Sequence, residues 1–162
     1  MSVQDLLAQE DEAAGYKHTF YLWPRLWAEY SDSHNWNFDW HFCQFNETQI
    51  DNIPTEPGIY TFVVQPSLAN HPSSSYLMYV GKTARTLRDR FKDYLRERTR
   101  EIGRPRVVRL LNKYPDNLLF CYTVVPDLTQ LGNIEDALMT AFVPPCNDQL
   151  PARVRAIMEA LR

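Results

Sequence analysis

The sequence predicts a small mixed α/β domain, and three observations lead there. Runs rich in β-branched and aromatic residues at Gly58–Val64, 76–80 and 118–125 read as strands. After the second and third of them, apolar residues return at helical spacing over 85–101, 106–114 and 134–142. The length of 162 residues and the 44% hydrophobic fraction suit one domain with a buried core and argue against disorder. No internal repeat or low-complexity tract is visible.

In chain order, residues 2–14 form an acidic helix with Ser2 as N-cap and Leu6, Leu7 and Ala13 or Ala14 as a sparse apolar face, ending at Gly15. An aromatic-rich stretch follows from Tyr16 to Phe45. Its alternation over 36–42 predicts a strand burying Trp36, Phe38, Trp40 and Phe42 on one face. His34, Asp39 and His41 lack a fourth partner at a metal-ligand spacing and read as solvent-facing polar residues. Residues 45–57 are a linker with a turn of helix, punctuated by Pro54 and Pro57. The strands 58–64 and 76–80 form a hairpin across a flexible Pro- and Ser-containing connection over 65–75. The period of two places Tyr60 with Phe62 and Val64, and Tyr79 with Leu77. The basic helix 85–101 stops near Gly103 and Pro105, and the second, 106–114, turns Val107, Leu110 and Leu111 inward before Pro115. Asn133 caps a helix over 134–142 with Ile134, Ala137, Leu138, Ala141 and Phe142 on its apolar face. Residues 153–162 close the chain as an amphipathic helix through Val154, Ile157, Met158 and Leu161. The organisation is thus an acidic, aromatic extension over 1–52, a central domain over 53–148 and a terminal helix over 149–162.

The formal net charge of −3 hides a strong asymmetry. The window opened by Lys82 and closed by Lys113 holds twelve Lys or Arg against four acids, a net of +8, and the remainder carries −11. A polyanion partner would use that window. Three cysteines with no CxxC spacing exclude a disulfide scaffold or a zinc ribbon and fit a reduced, cytoplasmic setting. An acidic N-terminus without an apolar core and the lack of any run of membrane-spanning length lead us to expect a soluble protein with no membrane partner.

The stretch from Tyr79 to Tyr94 is the most suggestive of chemistry. The strand breaks at Gly81 in an expected tight turn, and a helix with Leu87, Phe91 and Tyr94 on one face begins. Backbone N–H groups near that helix start, with Lys82 and Arg90 close by, favour an anion.

Gly58-Ile59-Tyr60, Tyr79-Val80-Gly81, Leu87 with Arg90 three residues on, Glu135 and Asn147 stand in an order that resembles the GIY-YIG nucleases, a family with members in intron homing, excision repair and restriction. The second triplet differs only by Val80, and the resemblance covers residues 53–148. It implies a three-stranded antiparallel core sheet flanked by helices; the strand expected over 36–42 would let the extension add to that sheet. It also implies a metal-dependent endonuclease acting on DNA through the basic segment. Tyr60 would activate or position water with help from Lys82, Tyr79 would orient the phosphate, and Arg90 would stabilise transition-state charge. Glu135 would hold one Mg²⁺ or Mn²⁺. Arg85, Arg88, Tyr94 and Asn147 would meet or brace the substrate, and Gly58 and Gly81 would be structural.

Those residue types suit the reaction. A tyrosine of ordinary pKa, about 10, serves as a base only if neighbouring positive charge lowers it, which Lys82 and the cation would do. An arginine fork matches phosphate. One carboxylate suffices for Mg²⁺, which keeps most of its waters. Two departures stand out: the connection between the hairpin strands is long, and one extra residue before Leu87 makes Arg88 a competitor of Arg90. The extension has no counterpart in the minimal family domain and offers a surface to a second copy or a partner protein.

Overall fold

Gly58–Val64 (β2) is an interior strand with helices over both of its faces, so it is buried at nearly every position and reads as a continuous apolar run. The computed structural model describes residues 2–69, 71 and 74–161. β2 lies between Tyr76–Thr83 (β3) and Leu118–Val124 (β4), antiparallel to both. His41–Gln44 (β1), from the N-terminal extension, adds an edge strand to β4, so the sheet has four strands in the order β1-β4-β2-β3. Residues 70, 72 and 73 of the expected flexible connection and Arg162 of the closing helix lie outside the described residues.

Helices cover both faces. Leu87–Arg100 (α3) and Pro105–Lys113 (α4) bury Leu87, Phe91, Tyr94, Leu95, Val107, Leu110 and Leu111 against Tyr60, Phe62, Met78 and Phe120. On the other face Leu131–Phe142 (α5) sets Leu131, Ile134 and Met139 on Ile59, Val80 and Val125. Thr86 caps α3 by accepting from the Asp89 N–H. Val3–Ala14 (α1) carries the Ser2 capping box but buries no residue. Ala152–Ala160 (α6) buries Val154, while Leu161 is exposed. No helix among the described residues is long and apolar enough to cross a membrane.

The structure departs from the sequence expectations in four places. Only residues 41–44 of the aromatic stretch pair as a strand, and the face inverts there: Cys43 and Phe45 turn inward, while Phe42 is 70% exposed. Trp36 and Phe38 pack instead beside the α5 cluster, with Trp36 stacked on His34 at 4.0 Å. Ahead of them, Pro24–Ser33 (α2) is a helix that the aromatic composition concealed; Pro24 starts it and the Trp27 indole donates to the Ala141 carbonyl at 2.9 Å. Asn133 caps nothing, because a 3-10 turn at Leu128–Gln130, closed by Asp127, lets α5 begin at Leu131. Gly81 is not a turn: β3 runs through it to Thr83.

Gly58 and Gly81 are needed for close approach rather than for backbone freedom. A Cβ on Gly58 would come 2.1 Å from the Thr123 carbonyl oxygen, and one on Gly81 would come 2.5 Å from the Tyr60 phenol. Gly58→Ala is expected to lose about 1–3 kcal/mol of stability through forced displacement of β4, read as a lowered urea midpoint at unchanged slope.

Candidate active site

Tyr60 stands on the central strand with its ring stacked near Phe120, and its hydroxyl is 3.0 Å from the Tyr94 hydroxyl. Tyr79 reaches the same face because it pairs with Phe62 while Gly81, two residues on, pairs with Tyr60; a bulge lies just before it. Phe62 pairs with Tyr79 but Val63 pairs with Leu77, so Met78 is the extra residue. Both Met78 and Tyr79 therefore face α3, while Leu77 packs on the α5 side; the expected sharing of a face by Tyr79 and Leu77 does not hold.

Two arginines close a network over these phenols. Arg90 donates from Nε to the Tyr60 hydroxyl and from Nη2 to the Tyr94 hydroxyl, each at 3.1 Å. Arg104 donates to the Tyr79 hydroxyl at 2.6 Å and to the Tyr94 hydroxyl at 3.1 Å. Tyr94, fully buried, is thus the hub and touches no solvent. Arg104 was not legible as a site residue, since in sequence it is one more base in a basic window; Pro105 beside it, starting α4, was the one local cue to a fixed position.

Burial dominates the electrostatics. It pushes the Tyr60 phenol up to about 12, the Tyr79 phenol adding to the effect and Arg90 opposing it. Burial likewise raises Tyr79 and Tyr94. Burial would lower the Arg90 and Arg104 pKa values, but the phenol oxygens they bond outweigh it, so both are raised. At neutral pH the network is three phenols and two guanidinium ions.

Lys82 does not help lower Tyr60. It points to the opposite sheet face, where its Nζ lies 2.9 Å from Glu135 Oε2. Glu135 is 17% exposed at its side chain and Lys82 44%. Glu135 meets the tyrosine network at one place, a cavity of about 550 Å³ lined by Tyr79, Arg104, Glu135, Asp136, Asn147 and Asp148. Tyr60 and Arg90 do not line it.

The remaining residues have other partners. Arg88, the competitor of Arg90 in the sequence, donates to the backbone carbonyls of Ile53 at 2.8 Å and Asp51 at 3.0 Å; it ties α3 to the 3-10 turn Glu47–Asn52 and makes no contact with the phenols. Arg85 is ion-paired with Asp93. Asn147 is buried and clamps the Val80 peptide, accepting from its N–H at 3.0 Å and donating to its carbonyl at 2.9 Å, so it braces β3 instead of offering a free amide to substrate.

For a divalent cation, no group of three or more His, Cys, Asp or Glu side chains converges among the described residues. The cavity suits a hard ion held by one carboxylate, Glu135, if the flexible Lys82 ammonium withdraws.

Comparison with known proteins yields no matching family model, no matching curated protein and no matching solved structure.

Two expectations follow from this geometry. Asn147→Ala leaves both polar groups of the Val80 peptide buried and unpaired, and should cost about 2–4 kcal/mol in a denaturant titration. The pKa of Tyr60 is raised on folding, so its contribution to stability is full below about 10 and is lost as pH rises through about 12. Thermal midpoints followed from pH 9 to 12 should fall over that window, and less steeply in Tyr60→Phe.

Proposed function

We propose that this chain is a divalent-metal-dependent endonuclease of the GIY-YIG type, hydrolysing phosphodiester bonds in DNA in a cytoplasmic setting. The observation that carries the reading is the hydrogen-bonded network of Tyr60, Tyr79, Arg90 and Tyr94, whose outer member Tyr79 shares a cavity with Glu135.

In this reading the scissile phosphate enters that cavity and meets Tyr79 and Arg104, while Glu135 holds Mg²⁺ or Mn²⁺. The bound cation supplies charge neutralisation at the phosphate and a more acidic water. Arg104 presents a guanidinium to the phosphate oxygens and is fixed by the Tyr79 and Tyr94 hydroxyls. Tyr60, held near 12 by its burial, orients its neighbours instead of taking the proton of water. Arg90 keeps Tyr60 and Tyr94 in register. Lys82, released from Glu135, becomes a free cation beside the cavity and a candidate to steady the departing charge.

A second reading has its own support. Tyr60 is 1% exposed and Glu135 is paired with Lys82, an arrangement that would also suit a nucleic-acid-binding or protein-interaction module without turnover. The exposed Val3, Leu6 and Leu7 of α1 and Phe42 of β1 are the residues of the extension a second copy or partner protein would cover.

Incubation of supercoiled plasmid and labelled duplexes with Mg²⁺ or with EDTA decides between them. Metal-dependent cutting is expected in the wild type, no cutting in Glu135→Ala, and losses of about 100-fold or more in Tyr79→Phe and Arg104→Ala. Absence of cutting with Mg²⁺, with DNA binding intact, would refute the nuclease and leave the binding module.

A further inference from the structure

We propose that DNA reaches the candidate site along a groove between α4 and the segment following α1, and that this groove is the main phosphate-binding surface rather than the exposed face of α3. The basic window divides unequally in the fold. On and beside α3, Asp93 pairs with Arg85, Arg90 and Arg96, Glu47 takes Arg98, and Arg88 is spent on backbone carbonyls. Only Lys92 and Arg100 of that helix lack an ion-pair or hydrogen-bond partner among the described residues.

Along α4 Arg109 stays unpaired among the described residues, and Arg106 and Lys113 are each held by a single polar partner. Arg106, Arg109 and Lys113 are spaced i, i+3 and i+7, which puts them on one stripe, away from the buried Val107, Leu110 and Leu111. Arg109 is exposed with no ion-pair partner among the described residues, and Arg106 is held only by an exposed pair with Asp148 at 3.4 Å. Lys113 donates to the Gly15 carbonyl and lies 5.2 Å from the Tyr16 ring centre. That contact brings in Lys17, an exposed cation from an otherwise acidic extension.

Three adjoining cavities turn the stripe into a path. The first, about 310 Å³, is lined by Lys17, Arg109 and Lys113; Lys17 and Arg106 also line the second, about 390 Å³. Asn147 and Leu150 are common to the second cavity and to the one holding Tyr79, Arg104 and Glu135. Arg104 stands at the N-cap of α4, so a single helix leads from the tyrosine network outward. The rise from Arg106 to Lys113 is about 10 Å, enough to follow about three phosphates of one strand. His18, also on this path, bonds the Tyr114 hydroxyl at 2.8 Å; burial and then Lys113 lower its pKa, so it adds no charge.

The inference rests on the nuclease reading for its choice of DNA as the ligand, and the test separates the two. Anisotropy of a labelled DNA duplex is followed in EDTA across about 50–200 mM salt, a range over which phosphate contacts dominate affinity. Wild type is compared with Lys17→Ala/Arg109→Ala and with Lys92→Ala/Arg100→Ala, all at exposed positions and checked for matching thermal midpoints. The groove pair is expected to weaken binding by about 10-fold or more and to reduce the salt slope by about 2. The α3 pair is expected to bind like wild type. Equal losses in both pairs, losses confined to the α3 pair, or polyglutamate competing as well as unlabelled DNA would overturn the groove. Loss confined to the groove pair, in a wild type that does not cut with Mg²⁺, would uphold the groove and sink the nuclease. A wild type that binds no DNA would remove both.

Discussion

Three phenol hydroxyls buried in an aromatic core, answered by two guanidinium groups, are the constraint on which this structure turns. Tyr60, Tyr79 and Tyr94 sit among Phe62, Phe91 and Phe120, where an unpaired hydroxyl would be costly. Arg90 and Arg104 make that burial tolerable by donating to all three. Each arginine is fixed in turn: Arg90 one helical turn before Tyr94, Arg104 with its guanidinium 5.2 Å from the centre of the Tyr79 ring. Removing either arginine would take a donor from two of the buried phenol hydroxyls. Packing of α3 and α4 on the sheet and the arrangement of the candidate site are therefore one problem with one solution.

The sheet divides the motif residues between its faces, and the pleat decides the division. Gly81 makes room for Tyr60 on one side, while its neighbours Val80 and Lys82 look to α5. Tyr79, two residues before Gly81, looks to the same side as Tyr60, and the bulge at Met78 turns Leu77 to the other. Glu135, on α5, communicates with the phenols at the edge of β3, through the cavity it shares with Tyr79 and Arg104.

Much of this was legible because it obeys local rules. β2 and β4 announce themselves by composition, α3 and α4 by apolar spacing, and the hairpin by its two apolar runs. The mixed α/β class and an extra strand from the extension were both readable. What was not readable depends on partners distant in sequence. Phe42 and Trp40 look like core in an alternating pattern, yet β1 is an edge strand whose register with β4 turns Phe42 outward. Gly81 looks like a turn until its cross-strand neighbour is known to be a tyrosine. Lys82 seems adjacent to Tyr60 in the motif, and the pleat puts it on the far side. Arg104 carries no signal beyond Pro105 beside it, because a salt-bridging arginine and a site arginine look alike in a basic run.

The clamp of Asn147 on the Val80 peptide bridges a separation of 67 residues, and it ties the edge strand of the sheet to the segment after α5. Asn147, Asp148 and Leu150 of that segment also line the cavity shared by Tyr79, Arg104 and Glu135. The wall of the cavity and the brace of β3 are thus one piece of chain, so a change in that segment reaches the footing of Tyr79 and the shape of the cavity together.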